Sequence, residues 1–264
     1  MPIPSEVIFG QSCGVEIGSI VTAADALAAL NYMQSLQSKS IPSNMVGLAN
    51  PSVATDGFKI TLNLGSSLRS SLIGEDLRID EFPPLPGAVE EVAQISDIFL
   101  KKALFMNESA SINSAVKSAE EAVLSGARTA LILATHGMAT GEKDDLPMPS
   151  LLTLEDGSFD LYTANMVATR NLNGSVIVLS ACDTASGFVS DPDRYFTGFV
   201  SAFSDAGAEL IMATLWPVKS SVSKKTTTKF FSEWKKNDLR GAIHRSKARA
   251  SNDNDYLPFV FIAP

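Results

Sequence analysis

The chain has 264 residues, 45% of them hydrophobic, with 21 Lys and Arg against 29 Asp and Glu for a net charge of −8. That length and apolar content allow one large domain or two small ones around a real core, and exclude intrinsic disorder. The acidic balance disfavours nucleic acid and anionic membrane surfaces, both of which reward clustered Lys and Arg.

In chain order, residues 23–36 space Leu27, Leu30 and Met33 as on one face of a helix. Residues 46–49 read as a short buried strand that ends at the Asn50-Pro51 turn. Residues 52–80 are rich in Ser, Gly and charge and read as a loop or insertion, and the prolines of 83–87 punctuate the chain. Residues 88–100 follow as a helix, with Val89, Val92, Ile95 and Phe99 at helical spacing and Glu90 and Glu91 near its positive end. A strand at 103–106 and a helix at 113–124 come next. The apolar runs at 129–134 and 176–179 read as buried parallel strands, and 209–214, which opens on Glu209, as a third buried strand. Helices are predicted at 196–206, 222–234 and 239–250, and a last strand at 259–262. The sparse charges from Lys224 to Lys236 read as a solvated helix face. Strands alternating with helices predict an α/β fold, a mostly parallel central sheet with helices on both faces. No internal repeat is visible.

Open parallel sheets bind ligands at the carboxyl ends of their strands. Thr135-His136-Gly137 follows the first long apolar run, Ser180-Ala181-Cys182-Asp183 the second, and Leu215-Trp216-Pro217-Val218 the third. Two strand ends thus offer a thiol nucleophile and a base. Cys182 stands 46 residues after His136. Caspase-type peptidases carry their His roughly 50 residues before the Cys, and papain-type enzymes roughly 130–150 after it. The other histidine, His244, sits among Arg240, Arg245, Lys247 and Arg249 and reads as a solvated helix residue. Alone, Cys182 would read as a small buried hydrophobe and His136 as a polar loop residue. Both together, each behind an apolar strand, make the stronger reading. Gly137 lets a backbone amide approach a ligand unobstructed. Cys13, in a Gly-rich irregular stretch, reads as structural. Gly65-Ser66-Ser67 reads as a turn, and Asp191 and Asp193 as part of a flexible acidic loop. Two cysteines support neither a disulfide framework nor a structural zinc site. There is no dinucleotide fingerprint, phosphate loop or paired-His metal helix, and a thiol nucleophile with its base needs neither metal nor organic cofactor. No run of 18 apolar residues is present, and residues 1–6 lack the basic and apolar stretches of a signal peptide. A soluble cytoplasmic protein is the expectation.

At these residues the sequence resembles the CHAT domain family, separase-like relatives of caspases often fused to TPR repeats. The matching stretches are LPGAVEEVAQIS (85–96), LILATHG (131–137), NGSVIVLSACDTASG (173–187), GFVSAFSDAGAELIMATLWPV (198–218) and LPFVFI (257–262). VGLANPS (46–52) resembles the family's upstream strand. A weaker match over 17–30 implies that the chain begins inside the full domain. The resemblance implies that residues 1–84 form the N-terminal part of the domain and 85–264 a caspase-like catalytic core. It implies a cysteine endopeptidase with His136 as general base and Cys182 as nucleophile, and the backbone N–H groups of Gly137 and Cys182 as oxyanion hole. Ser180, Ala181, Asp183, Trp216, Pro217 and Lys219 would lie by the substrate pocket. Many relatives carry an acid just after the Trp-Pro-Val segment, whereas here Lys219, Ser220 and Ser221 follow. A basic P1 residue needs an acid to offset its desolvation, so cleavage after neutral or apolar residues is expected, with Asp183 turned inward as the alternative acid for a basic one. The expected partners are a protein substrate and a TPR-containing or other regulatory partner. The polar loop 186–194, directly after the nucleophile, predicts weak basal activity that a partner raises. The alternative is a non-catalytic caspase-like scaffold.

Overall fold

Strands buried on both faces must be apolar throughout, and the long runs of this chain meet that demand in one sheet. The computed structural model describes residues 20–21, 39–52, 84–140, 148–181, 198–214, 218–248 and 259–263. Its main sheet comprises β1 (Ile20–Val21), β2 (Asn44–Ala49), β3 (Lys101–Met106), β4 (Thr129–Ala134), β8 (Val176–Leu179), β9 (Leu210–Thr214) and β10 (Phe259–Ala263). The spatial order is β1-β10-β9-β8-β4-β2-β3. The five strands from β9 to β3 are parallel, and β10 runs antiparallel to β9.

The pleat sorts the apolar residues into two cores. Val46, Leu48, Leu131, Leu133, Ile177, Leu179 and Ile211 face one side. There they pack on α2 (Ile112–Leu124) and α3 (Phe199–Asp205). Met45, Ala130, Ile132, Val176, Val178 and Met212 face the other. On that side lie α1 (Pro86–Ser96), α4 (Ser220–Lys236) and α5 (Leu239–Ala248). The predicted mostly parallel sheet with helices on both faces is therefore what the chain forms.

Local chemistry sets the helix boundaries. Pro86 opens α1, where a missing N–H costs nothing. The Ser111 hydroxyl caps α2 by accepting from the Ser114 N–H at 3.1 Å. Helix α1 stops at Ser96, short of the predicted Leu100, because the chain must turn into β3 at Lys101. The N–H groups of Ile98 and Phe99 bond back three residues, to Ile95 and Ser96, and tighten that turn. Phe99 nonetheless stays buried, edge-on to Phe231 at 5.4 Å. The predicted helix at 23–36, residues 53–80 of the predicted loop and Cys13 lie outside the described residues, as do residues 65–67, 191 and 193. His244 falls within α5 as expected, its side chain outside the description.

A second sheet lies outside every predicted element. Strands β5 (Gly137–Thr140), β6 (Met148–Glu155) and β7 (Ser158–Thr163) form an antiparallel meander. Asp156 and Gly157 join β6 to β7, both with positive φ (51° and 75°), as a tight two-residue hairpin turn requires. At the amino ends of the main strands, Arg128 Nε donates to Glu209 Oε1 at 2.7 Å and the guanidinium lies over Trp234, 5.4 Å from the ring centroid. Lys39 Nζ bonds the other Glu209 oxygen at 2.8 Å. No described helix is long and apolar enough to cross a membrane.

Gly47, in the middle of β2, lies directly under Val92 of α1. A Cβ there would sit 2.5 Å from Val92 Cγ1 and 2.9 Å from Met45 Cε. Gly47→Ala should therefore lower the unfolding free energy by about 1–3 kcal/mol, read from urea denaturation. An unchanged midpoint would show that α1 has room to move off β2.

Candidate active site at the carboxyl ends of the parallel strands

Strands β4 and β8 pair directly, Ala130 beside Val176 through Leu133 beside Leu179, an offset of 46 residues at every position. The ladder runs one bond further, from the Ser180 N–H to the Leu133 carbonyl at 2.9 Å. His136 and Cys182 are separated in the chain by the same 46 residues. Cys182 itself, with Asp183, Trp216 and Pro217, lies outside the described residues.

His136 sits where the chain leaves the main sheet for the second one, and it is half-buried. Its carbonyl accepts from the Leu152 N–H at 2.9 Å. The preceding Thr135 hydroxyl donates to the Leu152 carbonyl at 2.7 Å. Gly137 then opens β5 opposite Leu151. Strand β6 thus clamps the backbone on both sides of the histidine. On the far side of β4, the Asn50 N–H donates to the Ala134 carbonyl at 3.1 Å. Asn50 and Asn107 both adopt the left-handed conformation that asparagine tolerates, and their side chains hydrogen-bond at 2.8 Å. That pair closes the ends of β2 and β3.

Of the predicted pocket residues, the structure describes Ser180, Ala181 and Lys219. The pleat sends the first two to opposite faces. Ala181 is buried in the core with α2 and α3, and its carbonyl accepts from Thr214 Oγ1 at 2.6 Å. The Ser180 hydroxyl points to α1 and α4. It donates to Glu91 Oε2 at 3.1 Å and lies 2.5 Å from Ser223 Oγ. Lys219 is exposed and precedes α4 in extended conformation. Ser180 and Lys219 thus both lie at the start of α4, and Ala181 is on the opposite face of the sheet.

Glu91 is the residue that sequence reasoning missed. Only 1% of it is exposed, and its second oxygen accepts from Thr227 Oγ1 at 2.7 Å. Burial pushes its carboxyl up to about 7, against hydrogen bonds from Thr227, Ser180 and Ser223 and the Lys224 charge. The ammonium of Lys224 is turned to Glu90, 2.6 Å away, and that bond holds the Glu90 carboxyl below its usual range. The signal was present: 88, 91, 92 and 95 make one helical stripe, with Ala88, Val92 and Ile95 apolar, so position 91 faces the core.

The folded chain holds a proton on Glu91 up to about pH 7, whereas the unfolded chain releases it near 4.5. Between those values the folded state binds more protons, so this group's contribution to stability falls as pH rises and is constant above the window. The unfolding free energy of wild type minus that of Glu91→Gln should fall by about 2–3 kcal/mol from pH 4.5 to 7. A pH-independent difference would contradict a neutral buried carboxyl.

The CHAT domain family model matches residues 16–259 of the chain. No curated protein sequence matches it. Among solved structures, the chain is similar to the Arg-specific cysteine proteinase gingipain R, with a TM-score of 0.53, 10% identity, and 89% of this chain and 50% of that chain covered. It is also similar to the complex of Porphyromonas gingivalis RgpB pro- and mature domains, with a TM-score of 0.51, 10% identity, and 89% and 51% covered. The chain spans about half the length of these proteins, and at that identity the likeness is one of fold. The family match runs through the described core, including both strand ends that carry THG and SAC, and the chain belongs to the CHAT domain family.

Proposed function

We propose that the chain is a cysteine endopeptidase in which His136 and Cys182 form the catalytic dyad. The observation that carries this reading is the β4–β8 register. Its offset of 46 equals the separation of the two residues, so two in-register strands about 4.8 Å apart lead to a histidine and a cysteine. Membership of the CHAT family and a fold similar to a cysteine proteinase support it.

The chemistry follows from those groups. The His136 imidazole takes the Cys182 thiol proton, and the thiolate attacks the scissile carbonyl carbon. The carbonyl electrons move to oxygen, where the N–H groups of Gly137 and Cys182 stabilise the oxyanion; losing one such donor costs about 3–4 kcal/mol. The carbonyl then re-forms, the C–N bond breaks, and His136 returns its proton to the leaving amine. Water, deprotonated by His136, attacks the thioester and releases acid and thiol. The exposed Lys219 brings positive charge to the segment that leads into α4, which favours a neutral or apolar P1 residue in a protein substrate. The acid of Asp183 is the alternative partner for a basic one. A regulatory partner, TPR-containing or other, would raise a weak basal activity.

Cys182→Ala and His136→Ala should each abolish cleavage of a peptide library while thermal melting stays within a few degrees of wild type. Cys13→Ala should cleave normally. Turnover by Cys182→Ala would end this mechanism. A folded wild type that cleaves nothing and takes no label from a peptidyl thiol-directed electrophile, with or without partner, would make the domain a binding scaffold.

A further inference from the structure

Ser180 and Ala181, the two residues before Cys182 in the chain, are tied to four different elements. The Ser180 N–H bonds β4 through the Leu133 carbonyl at 2.9 Å. The Ser180 hydroxyl bonds Glu91 of α1 at 3.1 Å and meets Ser223 of α4 at 2.5 Å. The Ala181 carbonyl accepts from Thr214 at the end of β9 at 2.6 Å. Glu91 joins this set to a second hydroxyl of α4, Thr227, at 2.7 Å.

Stability alone does not call for a carboxyl at this place. Position 91 continues the apolar stripe of Ala88, Val92 and Ile95, and apolar groups in place of a whole buried polar set are commonly as stable as the set itself. What the carboxyl adds is direction. One oxygen takes the Ser180 proton and the other the Thr227 proton, and the Ser223 hydroxyl, 2.5 Å from that of Ser180, completes the set. A protonated carboxyl keeps the Ser180 bond. It donates instead to Thr227, whose own proton then goes to the Ser223 carbonyl 2.9 Å away. Among the described residues the charged groups nearby are Lys224 and Glu90, which pair with each other; the faces of β2 and β4 toward α1 carry Met45, Ala49, Ala130, Ile132 and Ala134.

We propose that Glu91, with Ser180, Ser223 and Thr227, is a buried positioning strut that fixes the end of β8 and so sets how Cys182 is presented. The inference rests on Cys182 being the nucleophile. The strut touches no reacting atom and acts through the backbone of residues 180 and 181.

The test is the second-order rate of Cys182 alkylation by iodoacetamide in a Cys13→Ala chain, with circular dichroism confirming the fold of each variant. Ser180→Ala and Glu91→Leu should slow the reaction about tenfold, since small displacements of a reacting group are costly. Glu91→Gln should stay within about twofold, because its carbonyl still accepts from Ser180 and its amide donates to Thr227. Folded Ser180→Ala with an unchanged rate overturns the strut, and it decides the matter should Glu91→Leu fail to fold. Equal rates in Glu91→Leu and Glu91→Gln overturn it too, as does a native Cys182 no more reactive than in the urea-unfolded chain. His136→Ala separates the two ideas. Loss in the strut variants without loss in His136→Ala keeps the strut and removes the dyad; the reverse removes the strut and keeps the dyad.

Discussion

Parallel pairing of β4 with β8 at a constant offset of 46 residues is the constraint on which the candidate site depends. A strand pair has no freedom to adjust this offset gradually. A slip by one residue would exchange the faces of Leu131, Ile132, Leu133 and Ala134 and expose each to the wrong core. The two hydrophobic cores therefore fix the register, and the register fixes which residues leave the sheet side by side. In this way burial of Ile177 and Leu179 against α2 and α3, and of Val176 and Val178 against α1, α4 and α5, sets the register at the strand ends.

The two ends of the sheet are built differently. At the amino ends, Glu209 gathers Arg128 and Lys39, and Arg128 stacks on Trp234. These contacts tie the entry to β4, the entry to β9, helix α4 and the segment before β2 into one cluster. At the carboxyl ends the chain turns out of the sheet instead. The Asn50–Asn107 pair closes β2 and β3, strand β6 clamps the backbone around His136, and a polar network around Glu91 takes hold of Ser180. Among the described residues, hydrogen bonds with defined directions hold this end, which suits a place where groups must be held at particular positions.

The main sheet was legible where burial leaves one solution. The runs 129–134 and 176–179 were read to the residue, because a strand buried on both faces admits little but aliphatic and small side chains. Boundaries failed where packing and backbone part company. Phe99 continues the helical period of α1 and is buried, yet it lies beyond the helix, since periodicity reports burial and not hydrogen bonding. The β5–β6–β7 meander was missed although Asp156-Gly157 between Leu152, Leu154 and Phe159, Leu161 is a strong hairpin signal. In the candidate site, residue type and spacing single out His136 and Cys182. They do not single out Glu91, because its charge suggests solvent and its partners Ser180 and Thr227 lie 89 and 136 residues away. No local pattern encodes contacts of that range.

The central claim is that in-register strands deliver His136 to Cys182. A crystal structure of the chain inactivated by a peptidyl chloromethyl ketone tests it most directly. The account predicts a thioether to Cys182 Sγ, the His136 imidazole within hydrogen-bond reach of the adduct, and its oxygen facing the amides of Gly137 and Cys182. An adduct on Cys13, or one on Cys182 with His136 turned away beyond contact, would contradict it.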